Sequence, residues 1–600
     1  MRGCALLLIL PLVCPQEKPK LKLEWKAEPG SVLEYEVVDA KTNKPRPEGW
    51  FVFASELRKN GNRIAIDRYA DLAWPLLFRL PKDEVRQGQS WEHEATFFAE
   101  AAESTAQWGW GGSASIKPCH VRGRYLLRKV EKKEADDLAW IDGEFTIFEI
   151  RRDFVNNQPR LTVTKSKVGT VSTSAAFHTG KGVIEQAAFV LDVPRAQERV
   201  REKEGWRVSD RRLKESFRAQ LKETVKLEAV KMEKAVQAGL KRAIEWLRKQ
   251  QKPGGEFGTA RTLETDRADT NYTGLVARAL LAAGVPADDE AFARALRSLR
   301  SGPGPRTPQT YAHLAGAVIA RAVGTVPWPG VKTAELRAAL RKDLPVEDAS
   351  LLRAAADTVS QMRERKTGGW GTGAGKGIET SNTISTRHAV EAVFLASLGG
   401  VPASQETARA VLDLLSGLAV EESDEIELQV EFVEGFRGIE PEPKKASPAT
   451  WRMTPDRGAK DPGGEGLRGN AFTTLCAMES CALLRAAAPL SEAQKRTVDS
   501  ALRRGLAWIQ RSWTLRTPPP AEASWSVQKE EYLCALMRVL TALGVRTVAG
   551  CDWYLEGAYL LLRSQYADGS WDSSGGAAVV DTVNAVLFLA RSAMPLPPAE

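Results

Sequence analysis

Three short polar pairs, Asp269-Thr270, Asn382-Thr383 and Asp581-Thr582, are the residues whose type and placement come nearest to chemistry. A carboxylic acid opening an apolar helix and sheltered from water can give or take a proton once its neighbours tune it. The same position also has a structural use. A short side-chain oxygen there accepts hydrogen bonds from backbone N–H groups that a first helical turn leaves unpaired, a contribution of about 1 kcal/mol. Capping is the reading adopted for all three pairs. His313 and His388 stand near the starts of apolar stretches, and Cys551-Asp552 are adjacent, yet no stretch has the ligand spacing of a zinc site. His93, His120 and His178 are scattered. Cys119, Cys476, Cys481, Cys534 and Cys551 include no CxxC pair and are expected as buried thiols. Gly371-Thr-Gly-Ala-Gly-Lys376-Gly377 imitates a phosphate loop but lacks the hydroxyl residue after the lysine and a preceding strand, so it is read as a turn. No catalytic residue, metal or cofactor is assigned.

The elements that would position these residues repeat. Glu556 to Arg591 contains an amphipathic helix ending in Arg563-Ser564-Gln565, a Gly/Asp turn delivering Trp571, and a second helix placed from Asp581 that is apolar almost all round. The first kind of helix can line an outside, whereas the second must be covered on nearly every side. The pattern recurs at Leu240–Gln251 with Phe257 and Asp269–Ala283, and at Ala354–Met362 with Trp370 and Asn382–Leu398. Weaker copies pair Glu290–Leu299 with Thr310–Val323, Glu406–Leu418 with Asn470–Ala488, and Val498–Trp513 with Glu530–Leu543. Six hairpins result, and because none can bury its apolar helix alone they must stack.

The run Gln565-Tyr-Ala-Asp-Gly-Ser-Trp571 resembles the QW repeat of the squalene-hopene cyclase and protein prenyltransferase superfamily, over about residues 235–595. The resemblance implies a six-hairpin α/α toroid, inner helices around a cavity and outer helices around them. It also implies a site. Terpene cyclases of class II open an inner helix with Asp-x-Asp-Asp-Thr, the middle aspartate protonating an alkene. Here the aligned middle positions are Ala268 and Val580, which hold no proton to give. Tyr272, Phe394, Phe472, Tyr532 and Phe588 are the inner-helix aromatics, few for steadying a carbocation. With His313, His388, Asp269, Asn382 and Asp581 they form the expected cavity set.

The rest of the chain bounds this reading. Met1–Pro15 carries Arg2 and an apolar run from Cys4 to Cys14, the pattern of a signal peptide, too short to span a bilayer, so an extracytoplasmic location is expected. Residues 21–194 alternate in the manner of an antiparallel β domain. Residues 195–234 read as a charged helical linker on the spacing of Leu213, Phe217, Leu221 and Val225; residues 195–250 hold 17 Lys/Arg against 9 Asp/Glu, a surplus of 8 that equals the whole chain's net charge of +8. No nucleic-acid motif accompanies those bases, and no nucleic acid is expected as partner. An insertion at 419–469 includes Glu421–Glu442, nine acids and one base, expected as a solvated flap or as a partner for the basic segment. The class is α+β with two domains. The function expected is non-catalytic binding of a protein, peptide or apolar small molecule at the toroid mouth; the alternative is an isoprenoid enzyme with a divergent site.

Overall fold

The computed structural model describes residues 20–44, 50–55, 80–97, 119–133, 136–155, 158–202, 205–257, 270–301, 307–323, 338–340, 342, 344–371, 381–421, 424–433, 439, 444–452, 470–516, 529–572 and 578–591. The signal-like segment, Asp269 and most of the Gly371–Gly377 turn lie outside them.

Eight strands build one antiparallel sheet: β1 (Ser31–Asp39), β2 (Trp50–Phe53), β3 (Ser90–Phe97), β4 (Cys119–Lys133), β5 (Asp136–Val155), β6 (Gln158–His178), β7 (Val183–Glu202) and β8 (Gly205–Lys226), in spatial order β2-β1-β8-β7-β6-β5-β4-β3. β3 to β8 form a meander, and β1 returns to pair with β8 from Ser31↔Lys226 to Asp39↔Phe217. Alternation sends Leu33, Tyr35 and Val37 of β1 into a core with Tyr125, Phe145, Phe177, Phe189 and Phe217. The charged helical linker expected at 195–234 is not there. Residues 195–202 complete β7, 205–226 are β8, and the next helix begins only at Ala229. A spacing of four residues marks one face of a helix, but four is also even, so Leu213, Phe217, Leu221 and Val225 share one face of a strand as well.

Six helical hairpins follow. The outer members are α1 (Ala229–Gln250), α3 (Glu290–Ser301), α5 (Val346–Gln361), α7 (Gln405–Leu418), α9 (Glu492–Arg511) and α11 (Trp553–Ser564); the inner members are α2 (Thr270–Ala282), α4 (Pro308–Val323), α6 (Thr383–Leu398), α8 (Ala471–Ala487), α10 (Lys529–Ala542) and α12 (Ala578–Leu589). Composition sorts them into layers. In α6 every residue but Ile384 is buried, whereas α9 buries one stripe that includes Val498, Leu502, Leu506 and Ile509. Each inner helix packs on the next, and α12 packs on α2, so the inner layer closes into a ring.

The turn between the members of a hairpin is a clasp. Gln251 donates to its own Gly255 O at 3.1 Å and to Ala291 O of the next outer helix at 2.8 Å, and Arg294 Nη2 donates back to Gln251 Oε1 at 2.8 Å. Gln565 repeats this on Gly569 O at 2.9 Å and Gly239 O at 3.0 Å, with Arg242 as its donor. Gly255 and Gly569 have φ of 98° and 96°, and a Cβ on either would stand 2.4 Å from the carbonyl oxygen of Arg294 or Arg242, so only glycine fits. Two residues on come the aromatics, held alike. Trp571 N is bonded to Thr582 Oγ1 at 3.0 Å, Trp370 N to Thr386 Oγ1 at 3.2 Å and Phe257 N to Thr273 Oγ1 at 3.1 Å.

Trp451 N meets Thr474 Oγ1 at 3.4 Å, so the expected insertion at 419–469 contains the fourth repeat's own tryptophan. The threonines also reset the alignment of the last copy. Thr582 is the counterpart of Thr386 and not of Thr383, which places Asp581 opposite Ser385 and Ala578 opposite Asn382. The acidic stretch lies against α9 and the following hairpin: Arg504 pairs with Glu421 at 2.7 Å, Gln510 bonds Glu427 O and Gln429 N, and β9 (Val430–Phe432) pairs with β10 (Val545–Val548).

The sheet rests on the ring through β2. Phe51 and Phe53 meet Tyr559 edge-on at 5.3 and 6.0 Å, Arg516 Nη2 donates to Phe51 O at 2.6 Å, and Ser55 Oγ donates to the buried Glu556 carboxylate at 2.8 Å.

Candidate functional site at the ring axis

Charged side chains occur inside inner helices that are otherwise apolar, and they converge. Arg278 is the ninth residue of α2, Glu391 the ninth of α6, Glu479 the ninth of α8, and Arg538 the tenth of α10, so they occupy one level of the ring. Arg278 Nη1 meets Glu391 Oε1 at 2.6 Å. Because α2 and α6 are separated by α4, this pair crosses the interior. Arg387, one turn before Glu391, bonds Glu479 Oε2 through Nε at 3.0 Å and Glu391 Oε2 through Nη1 at 3.3 Å. Arg538 Nε lies 3.4 Å from the same Glu479 oxygen. Arg278, Arg387, Glu391 and Glu479 are buried.

The electrostatics follow from burial and pairing. Burial would raise the proton affinity of Glu391, but Arg278, Arg387 and Arg538 overcome it and hold the carboxyl well below its ordinary range. Burial, then Arg387 and His313, hold His388 well below the ordinary histidine value, so its ring stays neutral. Glu531, the third residue of α10, goes the other way: burial raises its proton affinity against the pull of Arg387 and Arg538. Burial pushes the Cys476 thiol up to about 12.

The sequence-derived cavity set divides. His313 and His388 come together edge-to-face, ring centroids 5.5 Å apart, and His388 contacts Arg387 Nη1 at 2.7 Å. Asn382 is a helix cap, its side chain accepting from Ser385 N at 2.7 Å. Asp581 is not, because α12 starts three residues earlier at Ala578; it is fully buried in the first turn. Tyr272 is half-buried on α2. Phe588 points outward, stacked on Tyr554 of α11 at 5.8 Å, and Tyr532 donates to Thr514 O outside the inner ring. Phe394 and Phe472 are buried in the helical core. The residues that do meet on the axis, Arg278, Arg387, Glu391, Glu479, Glu531 and Arg538, were not expected from local motifs; the available signal was charge inside helices apolar on every side.

The neutral His388 gives a pH prediction. Its folded value is below its unfolded one, so protonation favours the unfolded chain, and stability falls as pH drops from about 6.5. Melting temperatures of wild type and His388→Gln should diverge in slope below that pH, the wild type falling faster. Parallel slopes would show that His388 does not take up a proton on unfolding.

No family model matches the sequence, and no curated protein matches it. Among solved structures, the chain is similar at 11% identity to an α-1,6-mannanase, GH76A of Salegentibacter, bound to α-1,6-mannotriose, with a TM-score of 0.38 over 60% of this chain and 99% of that one. A variant of the type II terpene cyclase MstE from Scytonema, bound to geranylgeranyl dihydroxybenzoate, is similar at 11% identity with a TM-score of 0.37 over 60% and 99%.

Proposed function

We propose that this protein is an exported, non-catalytic binding protein whose helical ring takes up its ligand at the axis. The observation that supports this most is the pairing of the central carboxylates. Glu391 and Glu479 are each tied to two arginines, Arg278 and Arg387 for the first, Arg387 and Arg538 for the second. A carboxylate so neutralised is a poor acid and a poor base. Ala268 stands where a cyclase of this resemblance would carry its proton donor. Charged groups at the axis also favour a polar ligand group over a wholly apolar one. Export rests on the apolar run at Cys4–Cys14, and an extracytoplasmic fraction from expressing cells is the place to find the protein.

One observation favours an isoprenoid enzyme, namely that Glu531 carries a raised proton affinity on an inner helix. Purified protein incubated with squalene or geranylgeranyl diphosphate separates the two readings. Recovered, unchanged substrate is expected. Product formation that disappears in Glu531→Gln would make the ring an active site and end the binding proposal.

A further inference from the structure

Two β-ribbons leave one end of the sheet. β5 pairs with β6 from Leu138↔His178 to Val155↔Gln158, and β7 with β8 from Gln186↔Gln220 to Glu202↔Gly205. The pairings beside them stop earlier: β4 with β5 at Cys119↔Glu149, β6 with β7 at Thr170↔Asp192, and β1 with β8 at Asp39↔Phe217. Beyond those points 150–155 with 158–163, and 196–202 with 205–211, are two-stranded, and because β5 and β7 run in the same direction both turns lie at the same end. Each ribbon reaches on the order of 20 Å past the common sheet, at about 3.3 Å per residue. Among the described residues, no helix of the ring packs extensively on β5 to β8. A two-stranded ribbon has no core of its own and gains order from what it rests on.

The ribbons also hold the charge of the molecule. With their roots, 150–167 and 193–214, they contain 13 Lys/Arg against 5 Asp/Glu, a surplus of 8, while the whole chain carries +8, so the rest of the chain sums to zero. The acidic stretch at 421–442, nine acids and one base, could have met this surplus, but its described part lies against α9 and β10 instead. Each ribbon further places one aromatic residue in the last pair but one before its turn, Phe154 opposite Pro159 and Trp206 opposite Arg201.

We propose that the two ribbons dock the protein on an anionic membrane surface, their basic residues meeting lipid phosphates and Phe154 and Trp206 settling among the headgroups. Basic segments are drawn to anionic lipid by an attraction that sums over their charges, and aromatic rings favour the boundary between water and acyl chains. Either signal alone holds weakly; together they anchor. Two tips side by side suit a flat surface, and export, as proposed above, brings the chain to a membrane. The docking is independent of what the ring axis binds.

Sedimentation of the full chain with lipid vesicles tests the assignment. Binding is expected to phosphatidylcholine vesicles holding about one third phosphatidylglycerol and not to phosphatidylcholine alone, and it should weaken steeply between about 50 and 300 mM salt as the charges are screened. Arg151→Gln, Arg152→Gln and Arg160→Gln together, or Arg199→Gln, Arg201→Gln and Arg207→Gln together, should each weaken it about 100-fold, near fivefold per charge. Phe154→Ser with Trp206→Ser should weaken it about tenfold. All these variants keep the apolar run at 4–14, so binding through that run alone would survive in them. Should a triple variant fail to fold by circular dichroism, Arg152→Gln and Arg207→Gln singly should each still weaken binding about fivefold. No binding to the charged vesicles, equal binding to phosphatidylcholine alone, or unchanged affinity in the folded variants would each overturn the proposal. So would saturable binding of a short duplex DNA that the charged vesicles fail to displace, which would make the ribbons a nucleic-acid clamp.

Discussion

Replacing Trp571 with alanine is expected to destabilise the ring by about 3–5 kcal/mol, read as a lower denaturant midpoint at unchanged slope. The indole is 1% exposed, its Nε1 donates to Leu561 O at 2.8 Å, and its backbone N is held by Thr582. Alanine removes the packing and leaves the Leu561 carbonyl with one partner fewer. The same station is filled by Trp370, whose Nε1 donates to Val359 O at 2.7 Å, by Trp451, donating to Leu415 O at 3.0 Å, and by Phe257, which has no N–H to give. Trp571→Phe should accordingly lose only about 1 kcal/mol, the usual worth of one hydrogen bond. A Trp571→Ala midpoint within experimental error of wild type would mean that the station does not join the repeats.

The second large effect is expected at Arg387, where methionine should cost about 3–5 kcal/mol because it strands buried charge. Removing this guanidinium takes a partner from Glu391 and Glu479 at once. The penalty should come from the stranded charge more than from lost attraction. A double variant with Glu391→Leu should then recover part of the loss. If the double variant is as unstable as the sum of its parts, the belt is a set of independent pairs and not one network.

The hairpins were legible because each needs two kinds of helix, and the difference between α6, mostly apolar and buried all round, and α9, apolar on one stripe, is written in composition. The Gln-Gly-aromatic turn was legible too, since Gln565, Gly569 and Trp571 each have a local duty at fixed spacing. The register of the last copy was not. Asp581-Thr582 looks like Asn382-Thr383, but the residue that decides the match is the threonine bonded to the aromatic, and that bond is invisible without the fold. Trp451 was hidden by the length of the insertion before it. The β7–β8 hairpin was misread because a four-residue apolar spacing satisfies helix and strand equally. The axial belt escaped for a different reason: Arg278, Glu391, Glu479 and Arg538 come from four helices, and among its members only Arg387 and Glu391, four apart, carry a local signal.

The clasp at Gln565 has a kinetic consequence. Its amide reaches Gly239 O, 326 residues back along the chain, and Ser55 meets Glu556 across 501 residues. Contacts of such separation are made late, after the entropy of closing a long loop has been met. On the ribosome, α1 and α2 must wait for α11 and α12, and until then they present the apolar flank that the last hairpin will cover. A nascent chain stalled before residue 553 is an open arc with two sticky ends, a substrate for holding chaperones or for pairing with another arc. Joining the first and last hairpins early, by rearranging the gene so that α11 and α12 are translated just before α1, would turn the longest contact of the ring into a short one and should speed folding without altering the finished ring.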